Sequence, residues 1–179
     1  MITLTGKKVS EGIAIGKLSF FKRDSKEIRR IYVKDVEKEV QRFQKARQKA
    51  LQELKELYDT ASKEVGEANA AIFEMQQMIL EDHDLVDKIT NIIVEHKLNA
   101  EYAIQTAAEE FIATAVVNDK NYVQGHDADV KDVSTRVLRI LSRGFKDKML
   151  MDEPFVLASG ELYPSEAVQL DKTKVLGFV

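Results

Sequence analysis

Three histidines, His83, His96 and His126, are the first residues to weigh for metal or acid–base chemistry, and no two of them stand four apart on a helix. There is no H-E-x-x-H motif, so a metal site would need residues far apart in sequence to converge. His83, between Asp82 and Asp84, reads as a surface residue at a helix kink or as a partner contact. His96 falls on an apolar face near a helix end, where packing or capping suits it. His126 precedes Asp127 and has Lys131 about a turn away, which fits helix-start polarity or a partner contact. The chain contains no cysteine, which removes disulfides, thiolate nucleophiles, iron–sulfur clusters and thiolate zinc sites together. Gly12 and Gly16 frame a strand-like segment but form neither G-x-G-x-x-G nor a P-loop, so a tight turn and close strand packing account for them. The 30 acidic residues are spread over amphipathic segments, where a solvated surface explains them better than an acid–base pair. No catalytic residue is assigned within the chain.

The segment from Glu67 to Asp87 is more informative. It carries Glu67, Glu74, Glu81, Asp82, Asp84 and Asp87 with no Lys or Arg, alongside Phe73, Met75, Met78, Ile79, Leu80 and Leu85. Ile72, Met75 and Ile79 can face a bundle core together, but Ala71, Met78 and Leu85 cannot all follow them. Some apolar surface ringed by acid is then left for a basic partner: methionine adapts to a contact, and an acidic rim steers encounter. The alternative reading is a thick bundle core with an acidic outer face.

The elements that must position these residues follow from periodicity. Ile2–Thr5 and Gly12–Phe21 read as short strands. From Val36 a helical seam begins, with Val36, Val40, Phe43, Ala50, Leu54, Leu57 and Ala61 on one face and Arg47 at a skipped step. Asp35 is a good N-cap and Gly66 a good stop, which predicts a helix of about thirty residues. A break over Gly66–Asn69 leads to a kinked or two-piece helix with Ala68, Ile72, Met75 and Ile79 on one face, Phe73 and Met78 to the sides, and Leu85, Ile89, Ile92 or Ile93, and His96 continuing it. Asn99 is placed to cap a helix from Ala100 to about Val117, and a last helix carries Ala128, Val130, Val133, Val137, Ile140 and Leu141. Arg136, Arg139 and Arg143 near its end complement the helix dipole. Phe155–Ala158 and Val175–Val179 read again as strands.

Composition agrees with this order. Only 8 Gly and 2 Pro occur in 179 residues, while charged residues reach 32%, a balance that favours long helices over a sandwich or barrel. The 44% apolar content can build a core, and a net charge of −3 offers no field to draw nucleic acid or anionic lipid. No segment approaches the roughly 20 apolar residues of a membrane span, and the N-terminus lacks a signal peptide's apolar stretch, so a cytoplasmic protein is expected. The chain stops inside an apolar run, which suggests that it is cut short of a full second domain.

Five strings carry a resemblance: Glu11-Gly12-Ile13-Ala14-Ile15-Gly16-Lys17; Ala71-Ile72-Phe73-Glu74; Met78-Ile79-Leu80-Glu81-Asp82; Ala128-Asp129-Val130-Lys131-Asp132-Val133; and Pro164-Ser165-Glu166 with Gln169-Leu170-Asp171 and Lys174-Val175-Leu176-Gly177-Phe178. In this order they resemble the N-terminal half of the enzyme I family of the bacterial phosphotransferase system, the phosphoenolpyruvate-protein phosphotransferases. The resemblance implies a mainly α fold: a bundle of two helical hairpins (31–144) that docks the phosphocarrier HPr, inserted in a partial α/β phosphohistidine subdomain (1–30 and 145–179). It implies that the phosphoacceptor histidine follows Val179 and that the fragment alone is inactive. It implies no cofactor within the fragment, the Mg²⁺ of the whole protein belonging to another domain, and a monomer here. The implied docking residues are Glu67, Ala71, Glu74, Met78, Ile79, Asp82, Asp84 and Leu85, with Val116, Val123 and His126 from the later hairpin. Gln76 stands where many family members have His, and Tyr163 where a Thr would cap a short helix. A specialised relative serving another carrier is one alternative. A helical adaptor dimerising through the Val36–Ala61 seam is the other.

Overall fold

The computed structural model describes residues 10–21, 27–118, 120–142 and 153–179, the side chains of 115–126 excepted. Nine elements are assigned: β1 (Lys17–Phe20), α1 (Val36–Val65), α2 (Glu67–Glu81), α3 (His83–His96), α4 (Ala100–Asn118), α5 (Lys120–Leu141), β2 (Phe155–Ala158), α6 (Pro164–Val168) and β3 (Val175–Phe178). The fold is mainly α, and the chain divides into two compact units. One holds the strands. The other, Asp24–Asp147 and Leu162–Gln169, holds the six helices found among the described residues.

In the first unit the strands form a parallel sheet in the order β1-β2-β3, with Lys17 opposite Phe155 and Phe20 opposite Ala158. Phe155 and Leu157 of the central strand are buried, while Phe20 and Phe178 on the outer strands stay exposed. The strand expected over Gly12–Phe21 is confined to its last residues. Gly12, at φ 137°, takes a backbone conformation that favours glycine. A Cβ on Gly16 would stand 2.7 Å from Leu176 Cδ1, so the expected close packing holds at Gly16, whereas a Cβ on Gly12 would meet nothing within 4 Å. The strand expected at Ile2–Thr5 lies outside the described residues.

In the helical unit α1 has the expected limits. Asp35 accepts a hydrogen bond from Lys38 N–H at 3.0 Å, and the helix ends at Gly66, whose φ of 87° suits only glycine. Asp35→Ala is expected to cost about 1 kcal/mol of unfolding free energy, read from the denaturant midpoint at unchanged slope. Phe43, Ala50, Leu54 and Ala61 are at most 1% exposed, packed against the other helices. The seam is therefore spent on this unit's own core and does not face a second copy. Arg47, at the seam's one polar step, donates from Nε to the Leu80 carbonyl at 2.6 Å and so satisfies the C-terminal turn of α2.

The break after α1 is one residue long, not four: α2 begins at Glu67, and Asn69 Nδ2 donates back to the Val65 carbonyl at 2.8 Å. Asn99 does precede α4, and its Nδ2 donates to Glu101 of the first turn at 3.0 Å, but its side-chain oxygen is turned to another segment. Its Oδ1 accepts from Ile31 N–H at 2.9 Å, while the Ala100 N–H is capped by Glu39 of α1 at 2.7 Å. Arg42 ties Glu39 to Glu101. His96 is the exposed last residue of α3, not a packed one, and Lys97 ends that helix at φ 54°. Arg139 lies in the last turn of α5 as expected, and both it and Arg136 donate to Glu53 of α1, at 2.7 and 2.8 Å. Arg143 lies outside the described residues. Residues 162–169, assigned by sequence to the α/β part, belong to the helical unit because the Ser165 hydroxyl donates to Asp132 of α5 at 2.6 Å.

Candidate functional site

Helix α2 has two unlike faces. Ala70, Phe73, Gln76 and Leu80 are buried, at steps of three and four, and this is the stripe that meets the core. The stripe expected from sequence, Ala68, Ile72, Met75 and Ile79, is turned away from it by about one residue, or about 100° on a helix. Ala68 is exposed, Met75 is 37% exposed, and Ile72 and Ile79 are half-buried at the flank. Gln76 donates from Nε2 to Asp129 at 3.2 Å and to Asp132 at 3.1 Å, both on α5, and a polar residue at a core position hides the stripe from any count of apolar spacing.

The outward face then reads Glu67, Ala71, Glu74, Met78 and Glu81, again at steps of four and three, all exposed. Met78 is 70% exposed, the most exposed large apolar side chain among the described residues of the helical unit. Met75 stands beside this stripe, and sequence periodicity missed it as a surface residue because it had been placed in the core. At the end of α2 the Asp82 side chain accepts from Leu85 N–H at 3.1 Å and starts α3, so this half-buried carboxylate joins the two pieces of the kinked helix. Asp84 and His83 are exposed on the first turn of α3. Leu85 is 3% exposed within the core, so its side chain is not on the outer face with the others. Ile79 has one side against the core and only part of its surface free. Val116, Val123 and His126 lie outside the described side chains.

Beneath this face sits a buried polar cluster that no sequence motif announced. Asp132 accepts from Gln76 and from both the Ser165 hydroxyl and, at 3.3 Å, its N–H. Burial pushes the Asp132 carboxyl above the ordinary carboxylate value, against the opposing pull of the Ser165 and Gln76 hydrogen bonds and of Arg136. The sign follows by linkage. A raised folded-state value means that the folded chain holds this proton more tightly than the unfolded chain. The group's stabilising share is complete below its unfolded-state value and is lost as pH rises through the folded-state value. The unfolding free energy of the native chain minus that of Asp132→Asn is expected to fall as pH rises from the acid side through that range, measured by denaturant titration at a series of pH values. A difference that grows with pH would contradict the assignment.

Among the described residues no three or more His, Cys, Asp or Glu side chains come together to hold a metal ion. No helix among them is long and apolar enough to cross a membrane. The outward face of α2 thus presents two methionines and an alanine between carboxylates.

Known proteins share this arrangement of helices and sheet. The model of the N-terminal part of PEP-utilising enzymes matches residues 5–125. The phosphoenolpyruvate-protein phosphotransferase of Listeria monocytogenes is 36% identical over 177 residues, covering 98% of this chain and 31% of the relative. That of Mycoplasma capricolum is 31% identical with the same coverage. A solution NMR structure of Enzyme I superimposes with a TM-score of 0.73 at 29% identity, over 94% of this chain and 69% of that one. The N-terminal domain of the nitrogen Enzyme 1 gives 0.65 at 22% identity, a likeness of fold, over 93% of this chain and 69% of that one. The chain spans about a third of the length of the curated relatives it matches. With the family match extending over most of its residues, and with a solved Enzyme I structure superimposing over 94% of it, the chain belongs to the PEP-utilising enzyme N-terminal family, as an N-terminal relative of phosphoenolpyruvate-protein phosphotransferase.

Proposed function

We propose that the helical unit docks HPr, the phosphocarrier of the bacterial phosphotransferase system, through the outward face of α2. On this reading the chain is the N-terminal portion of a cytoplasmic phosphoenolpyruvate-protein phosphotransferase that passes a phosphoryl group to HPr in sugar uptake. The strand-bearing unit is part of its phosphohistidine subdomain, and the helical unit acts as a monomer. The observation that carries the reading is the exposed stripe Glu67, Ala71, Glu74, Met78, in which an uncompensated apolar side chain is ringed by carboxylates. Ala71 and Met78 supply a small dry centre, Ile79 and Met75 widen it, and Glu67, Glu74, Asp82 and Asp84 steer basic groups around the carrier's histidine. The test is calorimetric titration of the chain with HPr at low and moderate salt. Affinity is expected to fall as salt rises, because exposed charges separated by about 8–10 Å or more are screened at physiological ionic strength. Absence of binding by the folded chain at low salt would overturn the reading.

A further inference from the structure

Helix α2 could bury either of two stripes. Phe73, Leu80 and Ala70 make one, and Ile72, Met75, Ile79 and Ala68 make the other, about one residue step around the helix. Both carry comparable apolar bulk, so the hydrophobic effect alone discriminates weakly between them. What separates them is polar. Gln76 is fully buried in the observed orientation, and its amide bridges Asp129 and Asp132, one turn apart on α5, while Asp132 is held in turn by Ser165. In the other orientation Gln76 would leave both carboxylates, and a buried carboxylate deprived of a donor is costly.

We infer that Gln76 is a positioning residue: its bridge to Asp129 and Asp132 fixes the rotation of α2 and thereby selects which face, the Glu67–Met78 stripe, is displayed for recognition. Buried polar groups have their best-attested use in setting register of this kind. The meaning of the displayed face rests on the docking reading above, whereas the rotation does not.

The absence of native cysteine allows a direct test. Single cysteines are introduced at Met75, now partly exposed, and at Gln77, now half-buried on the other side of Gln76. Thiol labelling rates are compared with Gln76 intact, replaced by Leu, and replaced by His, which retains an N–H donor at similar reach. With Gln76→Leu, labelling at position 75 is expected to slow and labelling at position 77 to speed up, each by about tenfold, since a buried thiol reacts only through local opening. Gln76→His is expected to restore both rates. Changes of opposite sign separate rotation from general loosening, which would speed both. Unchanged rates in a folded Gln76→Leu variant, or acceleration at both positions, would overturn the inference. Should Gln76→Leu not unfold cooperatively, Gln76→Met, closer in shape, carries the same test. If the rates reverse while HPr affinity does not move, the positioning role stands and the docking reading falls.

Discussion

Replacing Met78 by glutamate is expected to weaken HPr binding by at least about thirtyfold, the loss of about 2 kcal/mol that marks a central contact residue. Two effects act in one direction. The substitution removes the largest apolar side chain from the centre of the face and buries a new carboxylate among existing ones when the partner closes over it. Because Met78 is 70% exposed and outside the core, the helices lose little by the change. Circular dichroism and the unfolding midpoint should therefore match those of the native chain. Unchanged affinity in the calorimeter would remove Met78 from the interface.

A second contrast tests the rotation of α2 by stability. Phe73 is 1% exposed, and Phe73→Ala is expected to cost about 3–5 kcal/mol through lost transfer energy and the cavity left behind. Met75, two residues on, is 37% exposed, and Met75→Ala should stay within about 1 kcal/mol. Denaturant unfolding at constant slope measures both. Comparable losses, or a larger loss at Met75, would mean that the helix buries the other stripe.

That contrast also marks the limit of what the sequence reveals. The limits of α1 are legible because they depend on neighbours: Asp35 caps Lys38 three residues on, and Gly66 supplies its own backbone freedom. The division at Asp82 is legible for the same reason. The buried face of α2 is not, because Gln76 occupies a core position and its partners, Asp129 and Asp132, lie more than fifty residues away. The start of α4 is half legible. Asn99 marks the place, but the cap comes from Glu39, 61 residues earlier, while Asn99 itself holds Ile31. Arg47 looks like an error in a heptad until the Leu80 carbonyl is seen beside it. The attachment of α6 to the bundle through Ser165 and Asp132 is likewise a long-range hydrogen bond that no local pattern encodes.

For the candidate site the same division holds. The acidic and methionine-rich character of Glu67–Asp87 is a matter of composition and visible in one dimension. Which of those side chains reach the surface is not: Met75 of α2, which apolar spacing places inward, is 37% exposed, and Leu85 of α3, which the resemblance places on the docking face, is 3% exposed.

The most direct test of the docking account is to follow the backbone amide resonances of the isotope-labelled chain as unlabelled HPr is added. The account predicts shifts centred on Ala71 to Asp84, largest around Met78, that shrink as salt is raised. Shifts confined to other helices, or none at low salt with the fold intact, would contradict it.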